Sequence, residues 1–386
     1  VRSGVGPVLL NEQQTMVRDM AREFAQRELA PNAPDWDRAG ELPAEVLSRM
    51  GELGLLGMCV DEEWGGAGAD YLSYAVALEE IAAGDAATSN VMGVNNVPVC
   101  AAIVDYGNDG QKARFLRPLA SGAHIGAFLL TEPQAGSDAS NLRTRARRQG
   151  DRYIINGDKQ FITSGSIAST AMIFAVTDPE AGGRGISCFL TPTDAAGYKV
   201  ARIEDKMGQR ASDTCHIVLE DLEVPVENRL GEEGEGYRIA LANLSTGRIG
   251  VSCQAIGMAR AAFEQALAYA QEREAFGKVI FEHQAVAFRL AEMATSIETA
   301  RQLTHHAASL HMAGETCRKE ASMAKLFASE MAEQVCSDAV QTFGGYGYLN
   351  DLPVERIYRD VRVTQIYEGT SDIQKLLISR AIRDEV

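Results

Sequence analysis

The spacing of hydrophobic residues changes twice along the chain and divides it into three parts. From residue 12 to about residue 122, apolar residues recur at helical intervals. Examples are the face formed by Val17, Met20 and Phe24 before Pro31, and the run over residues 44–55 after Pro43. This first third is predicted to be all-helical.

The middle third has a different pattern. Short β-type runs alternate with turn residues between about residues 123 and 235, and they lie at residues 125–130, 153–155, 171–176, 185–190 and 214–219. Asn156-Gly157 is a turn signal directly after the second run. This pattern predicts a small β domain.

Long helical stripes return from residue 236 onward. They contain Ile249, Cys253, Ile256, Phe263 and Leu267, then Val286, Leu290, Met293, Ile297 and Ala300, and finally Met323, Phe327, Met331 and Val335. The last third is therefore predicted to be a helical bundle. Because no low-complexity linker separates the three parts, we expect them to pack as one compact subunit.

Composition and charge exclude several functional classes. The 386 residues are 46% hydrophobic and 23% charged, which is typical of a globular protein. The net charge of −16 disfavours nucleic acid and anionic lipid as partners. The longest uncharged stretch, residues 86–104, contains several asparagines and a proline, so a buried helix is predicted there and no membrane insertion.

Targeting and cofactor motifs narrow the choice further. No secretory signal is visible and the seven cysteines are scattered, which favours a cytoplasmic location and free thiols. The chain contains neither Gly-x-Gly-x-x-Gly nor Gly-x-x-x-x-Gly-Lys-[Ser/Thr], which disfavours Rossmann and P-loop enzymes. The nearest histidine group, His305, His306 and His311, lacks ligand spacing, so no metal site is predicted.

Four segments could bind a ligand, although each alone has an ordinary structural explanation. Residues 130–138 offer hydroxyls and a glycine turn, and residues 161–165 place an aromatic face two residues from a hydroxyl. Arg273 could pair with a pyrophosphate, and the glycines of residues 341–348 would allow close backbone approach. The alternatives are a turn, a strand end, a helix-dipole partner and a helix C-cap.

Glu368 is the candidate general base. It precedes Ser371-x-x-Gln374, which has the form of a capping box, so a helix is predicted to begin there with Glu368 in the loop before it. Ile366 and Tyr367 could provide an apolar wall that raises the pKa of the carboxyl. A solvated loop glutamate is the alternative.

The motifs together resemble one family. In chain order they read Thr-Glu-Pro-x-x-Gly-Ser-Asp, aromatic-Ile-Thr, Arg-x-x-Phe-Gly, Gln-x-x-Gly-Gly-x-Gly-Tyr and Tyr-Glu-Gly-Thr. Over essentially its whole length the chain resembles the acyl-CoA dehydrogenase family of flavoenzymes, most closely its short-chain and branched-chain members. The resemblance implies an α+β fold with an N-terminal α-helical domain (residues 1–122), a middle β-barrel domain (123–235) and a C-terminal four-helix bundle (236–386). It also implies bound FAD and a homotetramer.

The resemblance assigns site residues by position. The flavin ring and its phosphates would contact Phe128, Leu129, Leu130, Thr131, Glu132, Pro133, Gln134, Ala135, Gly136, Ser137, Phe161, Ile162 and Thr163. The adenosine-diphosphate end, in a neighbouring subunit, would contact Arg273, Gln284, Gln341, Thr342, Phe343, Gly344 and Gly345, and further FAD contacts would come from Thr370, Ser371 and Asp372. The CoA substrate would face Ser137, Ser245, Thr246, Gly247, Arg248 and Gly369.

Glu368 would be the catalytic base. Some relatives carry the base just before an arginine equivalent to Arg248, but that position here is Gly247, so the base is not relocated. Two departures from the family pattern are Phe161 in place of the commoner Trp and Ser164 in place of the commoner Asn, and the aromatic face is retained.

The implied reaction is the α,β-desaturation of an acyl-CoA to a trans-2-enoyl-CoA, as in fatty-acid β-oxidation. The base takes the α proton, the β hydrogen leaves as hydride to flavin N5, and electrons pass to electron-transferring flavoprotein. A neutral short- to medium-chain or 2-methyl-branched acyl group is predicted, because residues 86–104 contain no cation to pair with a distal carboxylate. The alternatives are an acyl-CoA oxidase that uses O₂ and a non-catalytic protein on the same scaffold. The location would be cytoplasmic, or the mitochondrial matrix if a transit peptide has been removed.

Overall fold

The computed structural model describes residues 9–385, so the targeting prediction and the outermost domain ends fall partly outside this range. The N-terminal part is helical and contains α1 (Glu12–Phe24), α2 (Ala33–Ala39), α3 (Ala44–Glu52), α4 (Tyr71–Gly84), α5 (Ala86–Val94), α6 (Ala101–Tyr106), α7 (Asp109–Gln111) and α8 (Arg117–Ala120). A capping box starts α1, since Asn11 Oδ1 accepts from the Gln14 N–H at 2.8 Å and Gln14 Oε1 accepts from the Asn11 N–H at 2.9 Å. The predicted face of α1 packs against the core, with Phe24 buried.

The single helix predicted over residues 86–104 is wrong. After α5 the chain makes a π-helical turn, Asn95–Cys100, before α6 begins. Pro98 has no N–H to donate, and Val97 has extended dihedral angles (φ −137°, ψ 115°), so the helical hydrogen bonding is interrupted there. No helix in the described residues is long and apolar enough to cross a membrane.

Two asparagines in this interrupted segment form hydrogen bonds to the neighbouring backbone. Asn95 Nδ2 donates to the Leu56 carbonyl at 2.7 Å, and Asn96 Oδ1 accepts from the Met58 N–H at 2.8 Å. Both side chains are buried. Their polar groups therefore cross-link the backbone and are not available to a ligand.

The middle part forms one eight-stranded sheet. Its strands are β1 (Gly126–Leu129), β2 (Arg145–Gln149), β3 (Arg152–Thr163), β4 (Thr170–Val176), β5 (Ile186–Pro192), β6 (Tyr198–Ile203), β7 (Thr214–Pro225) and β8 (Arg229–Leu230). Their order is β6-β7-β3-β2-β4-β5-β8, and β1 pairs in parallel with β4. The five predicted β runs fall in β1, β3, β4, β5 and β7. The pattern missed β2 and β6 because most of their side chains are exposed, and it missed β8 because that strand has only two residues.

Asn156-Gly157 is not a turn. Both residues lie inside β3, where the register with β7 shifts between Ile155 and Gly157. Gly157 has φ +151°, and a Cβ at this position would lie 2.4 Å from Thr144 Oγ1. The glycine therefore permits close backbone approach opposite a β-bulge in β7, and β3 continues through this position.

The C-terminal part is helical apart from one short hairpin. It contains α9 (Gly236–Glu272), β9 (Glu274–Ala275), β10 (Lys278–Val279), α10 (Gln284–Met312), α11 (Arg318–Phe343), α12 (Pro353–Val361) and α13 (Ser371–Asp384). Helix α11 packs against α9, α10, α12 and α13, and α9 also packs against α4. The stripe predicted for α11 is partly wrong, since Phe327 is 40% exposed. The buried face of α11 is instead rich in small residues, including Ala321, Ala324, Ala328 and Ala332.

A buried charge cluster joins the first and last parts. Glu79 on α4 accepts from Arg301 on α10 at 2.9 Å, and Glu80 accepts from Arg260 on α9 at 2.6 Å. Both carboxylates are almost fully buried. Because buried charges are costly unless they are paired, this network of ion pairs holds α4 against α9 and α10.

Candidate active site

A cavity of about 630 Å³ lies where the three parts meet. Its walls come from α4, α5, the loop after β1, the end of β3, α9 and the segment that leads into α13. Most of its surface is apolar, as in the walls formed by Leu78, Val94, Leu244 and Val251. It is therefore shaped to hold a largely apolar ligand next to a few polar groups.

Glu368 lines this cavity from a strained turn. Glu368 and Gly369 have φ +55° and +94°, two consecutive left-handed residues. The Oε2 atom of Glu368 is buried and has no hydrogen-bond partner in the described residues. A Cβ built on Gly247 of α9 would lie 2.3 Å from this atom, so the carboxyl rests directly against α9.

The surroundings of Glu368 bring the pKa of its carboxyl close to neutral pH. Burial raises the pKa of the Glu368 carboxyl to about 7, although the charges of Arg248 and Lys325 act to lower it. The apolar wall predicted from Ile366 is wrong, because Ile366 is 51% exposed. Tyr367, the other residue of the predicted wall, does line the cavity with Glu368.

The helix after Glu368 is capped differently from the prediction. Helix α13 begins at Ser371, but its N-cap is Thr370, whose Oγ1 accepts from the Ile373 N–H at 3.4 Å. Thr370 has the extended ψ of a cap (162°), whereas Ser371 is already helical and its hydroxyl lacks a partner in the described residues. Gln374 serves another purpose, since its Nε2 donates to the Glu368 and Gly369 carbonyls at 3.2 and 2.8 Å.

The segments assigned to the flavin only partly face the cavity. The cavity is lined by Phe128, Leu130, Thr131, Gly136, Ser137, Phe161, Ile162 and Thr163, and not by Leu129, Glu132, Pro133, Gln134 and Ala135. Leu129 and Ala135 are core residues. The Glu132 carboxylate accepts from Lys159 Nζ at 2.8 Å, and the Gln134 amide donates to Glu132 at 2.7 Å. Leu129, Glu132 and Ala135 are buried, so any ligand contact by these three residues would have to use the backbone.

Phe161 reaches the cavity through a bulge. The predicted extended geometry is wrong there, because the β3–β7 register shifts between Lys159 and Ile162 and Phe161 has φ +58°. The bulge leaves the Phe161 ring 64% exposed, while Ile162 next to it is buried. Phe161 and Thr163 still meet at the cavity wall.

A second cavity of about 450 Å³ is lined by some of the residues predicted to contact the adenosine-diphosphate end of FAD. It is lined by Arg273, Thr342, Phe343, Gly344 and Gly345, whereas Gln284 and Gln341 are not among its lining residues. A Cβ on Gly344 or Gly345 would meet nothing within 4 Å, so the backbone is open there. Gln341, Thr342 and Phe343 form the last turn of α11, and Gly344 is the C-cap of this helix.

The predicted substrate residues also separate into two groups. Ser137, Gly247, Arg248 and Gly369 line the first cavity, but Ser245 and Thr246 do not. Thr370, Ser371 and Asp372, which were assigned to FAD, do not line this cavity either. Ser245 Oγ donates to the Leu241 carbonyl at 2.9 Å, and Thr246 Oγ1 donates to the Asn243 carbonyl at 3.0 Å. These two hydroxyls are thus used within α9.

Two polar cavity residues, Gln254 and Tyr74, were not predicted from the sequence. Tyr367 Oη donates to Gln254 Oε1 at 2.8 Å, and Gln254 Nε2 donates to Ser89 Oγ at 3.4 Å. Tyr74 of α4 also lines the cavity. The available signal was Gln254 itself, a polar residue inside the apolar stripe of α9.

Comparison with protein-family models covers nearly the whole chain. Residues 11–123 match the acyl-CoA dehydrogenase N-terminal domain, residues 127–222 the middle domain and residues 234–383 the C-terminal domain. The chain belongs to the acyl-CoA dehydrogenase family. The predicted family and α+β fold class are confirmed, and the protein is an oxidoreductase.

Individual relatives agree with the family models. This acyl-CoA dehydrogenase is 45% identical to the short-chain specific acyl-CoA dehydrogenase of Clostridium acetobutylicum, covering 97% of this chain and 98% of that one. Butyryl-CoA dehydrogenase from Megasphaera elsdenii superposes with a TM-score of 0.95 at 40% identity, covering 97% and 99% of the two chains. A chain in a structure described as the electron transferring flavoprotein of Acidaminococcus fermentans gives a TM-score of 0.96 at 47% identity, covering 97% and 98%.

Proposed function

We propose that this acyl-CoA dehydrogenase desaturates a neutral short-chain or 2-methyl-branched acyl-CoA, with Glu368 as the base and FAD as the cofactor. The observation that carries the proposal is the buried, unpaired Oε2 of Glu368 at the wall of the main cavity. A buried carboxyl oxygen without a donor is costly, and such groups are concentrated at functional sites.

Glu368 suits the proton-transfer step. The α C–H of a thioester is a weak acid, so its removal needs a positioned base and donors at the carbonyl oxygen where charge develops. With a pKa raised to about 7, Glu368 is substantially ionised at neutral pH and still holds a proton well. Glu368 accepts the α proton on its carboxyl, and its backbone N–H is the proposed donor to the thioester oxygen. The apolar walls keep water from the reacting atoms.

The residues at both cavities fit FAD. The exposed ring of Phe161 offers a face to a flat heterocycle, and Ser137 and Thr163 supply hydroxyls beside it. At the second cavity, Gly344 and Gly345 leave space that side chains would fill. When bound, FAD would supply the acceptor for the hydride that leaves the β carbon. Because Arg273 at the second cavity is assigned to a neighbouring subunit's cofactor, we include a homotetramer in the proposal.

The size of the acyl group follows from the contacts of Gln254. Its side chain spans from α9 to α5, held by Tyr367 on one side and Ser89 on the other. A Cβ on Gly93 of α5 would lie 3.3 Å from Gln254 Nε2, so little space remains between them. A long acyl chain would have to break these hydrogen bonds. The lining residues from α4 and α5 include no cation, so a distal carboxylate at this end of the cavity would be buried unpaired. The arginines that line the cavity, Arg248 and Arg380, lie on α9 and α13.

The electron acceptor is proposed to be electron-transferring flavoprotein. Support comes from the resemblance to the family and from the similarity to the chain in the Acidaminococcus fermentans structure. An oxidase would instead release hydrogen peroxide in air. Peroxide assay during turnover with and without an electron-transferring flavoprotein therefore separates the two acceptors.

The test of the reaction is flavin bleaching without oxygen. Wild-type protein is mixed with butyryl-, isobutyryl-, 2-methylbutyryl-, octanoyl- and glutaryl-CoA, and the flavin absorbance is followed. We expect the short and branched esters to reduce flavin fastest. Fastest bleaching by glutaryl-CoA would overturn the charge argument, fastest bleaching by octanoyl-CoA would overturn the role of Gln254, and no bleaching by any ester would overturn the proposed function.

A further inference from the structure

Lys325 is a buried cation that the reaction described above does not use. It lies in the middle of α11 and is fully buried. Lysine is rarely buried this completely unless it is paired. Here Nζ donates at 2.8 Å to the carbonyl oxygen of Gly369, the residue directly after the base.

The carbonyl that Lys325 contacts belongs to a backbone turn that needs support. Glu368 is a non-glycine residue in the left-handed region, and such a conformation persists only where its surroundings hold it. The Gly369 carbonyl accepts from Lys325 Nζ and from Gln374 Nε2, both at 2.8 Å. Two buried donors on different helices, α11 and α13, therefore converge on one carbonyl oxygen.

Lys325 is one of two cations whose charges act on the carboxyl of Glu368. Arg248 faces Glu368 from α9, and Lys325 faces it from α11. Glu330, also on α11, acts with Glu368 to raise the pKa of Lys325. The remaining titratable groups around Glu368 are the phenols of Tyr71, Tyr74 and Tyr367, whose pKa values are raised by burial, so they are neutral. Arg248 also contacts α11, with Nη1 3.5 Å from Ser322 Oγ.

We propose that Lys325 is a positioning residue for the base: its hydrogen bond to the Gly369 carbonyl fixes the turn that carries Glu368, and its charge favours the ionised carboxylate. This inference rests on the proposed role of Glu368. Gln374 supplies a hydrogen bond to the same carbonyl but carries no charge. A neutral donor at position 325 would do the same, so a variant of this kind separates the two functions of Lys325. Burial lowers the pKa of Lys325 to about 8 against the opposing effect of Glu368, which leaves the ammonium form dominant at neutral pH.

Three substitutions separate hydrogen bond from charge. Lys325→Met removes both, Lys325→Gln keeps a donor without charge, and Lys325→Arg keeps both. Lys319→Met is the matched control, because Lys319 lies on the same helix and pairs at the surface with Glu320 and Glu385. Two quantities are measured: the pH dependence of flavin reduction by butyryl-CoA, and backbone amide hydrogen exchange over residues 366–374 in the substrate-free protein.

Loss of a neighbouring cation should raise the pKa of the base by about one unit. We therefore expect Lys325→Met and Lys325→Gln to move the midpoint of the pH profile upward by about one unit, with a rate about tenfold lower below the wild-type midpoint and recovery at alkaline pH. Hydrogen exchange should accelerate in Lys325→Met and change less in Lys325→Gln. Lys325→Arg and Lys319→Met should resemble wild type.

An unchanged pH midpoint in both neutral variants would show that the charge of Lys325 does not act on the base. Unchanged hydrogen exchange in Lys325→Met would show that Lys325 does not fix the turn that carries Glu368. If Lys325→Met does not fold, Lys325→Gln against Lys325→Arg still decides the charge role. Failure of the proposed function gives a different result. Wild type would then not bleach with any ester, or Glu368→Gln would bleach normally, whatever the exchange data show.

Discussion

Replacing Gly247 with alanine would test where the carboxyl of the base lies. A Cβ at this position would be 2.3 Å from Glu368 Oε2 and 2.8 Å from the carboxyl carbon, whereas ordinary contact begins at 3.4 Å. The carboxyl would therefore have to move by about 1 Å to make room. Because the obstructed atoms are at the end of a flexible side chain, Glu368 can rotate away without disturbing the helix.

We expect Gly247→Ala to slow flavin reduction by about 10²-fold, since a misplacement of about 1 Å in a reacting group costs about that much. This corresponds to roughly 2.7 kcal/mol of transition-state stabilisation. Stability should not fall, because alanine is favoured over glycine inside a helix by about 1 kcal/mol. The assay is anaerobic stopped-flow reduction with saturating butyryl-CoA, together with thermal unfolding and flavin content.

Gly110→Ala is the control, because Gly110 is an exposed helix glycine whose Cβ would be 3.3 Å from its nearest neighbour, Asn108 Oδ1. It should reduce flavin at the wild-type rate. If Gly247→Ala also did so, the carboxyl would not rest against α9 and the geometry assigned to the base would be refuted. A parallel loss of flavin or of thermal stability would indicate general disruption instead of a displaced base.

Four further outcomes are expected. Glu368→Gln should retain flavin but reduce it about 10² to 10⁴ times more slowly, and near-normal bleaching would move the base elsewhere. Because burial raises the pKa of Glu368 to about 7 and the base must be ionised, the reduction rate should fall as the pH drops below about 7; a flat profile across this range contradicts the assignment. Lys159→Met leaves the buried Glu132 carboxylate without its cation and should cost about 3 kcal/mol in urea unfolding, whereas a cost below about 1 kcal/mol would show that the pair is dispensable. Arg273→Glu should weaken FAD retention and assembly together, as measured by absorbance and sedimentation, and a variant with normal FAD content and activity would refute the contact between subunits.

The sequence was most informative where burial is one-sided and regular. The stripes of α9 and α10 are strongly periodic, and their predicted residues Ile249, Cys253, Leu290 and Met293 are all buried. The helix–sheet–helix order followed from this periodicity alone, and the fold class is confirmed. The exact domain boundaries remain predictions.

Periodicity failed where a residue's local preference conflicts with its tertiary contacts. Asn156-Gly157 favours a turn, but pairing of β3 with β7 on both sides of the bulge keeps the strand continuous. In α11 the larger side chain, Phe327, suggested the wrong face, because the helix packs through its alanines. Small residues permit closer approach of helices, so the buried face of a tightly packed helix need not contain its largest apolar residues.

At the candidate site, local sequence predicts even less, because residues distant in the chain determine the geometry. Motifs in one stretch of sequence located Glu368, yet the groups that set its geometry lie 121 residues earlier, at Gly247, and 43 residues earlier, at Lys325. Each of these two residues gives only a weak signal in the sequence around it. Lys325 occupies a core position between Ala321 and Ala328, where a charged side chain is costly unless it has a partner. Such a residue indicates from sequence that a buried acceptor exists, but only the fold can show that the acceptor is the backbone beside the base.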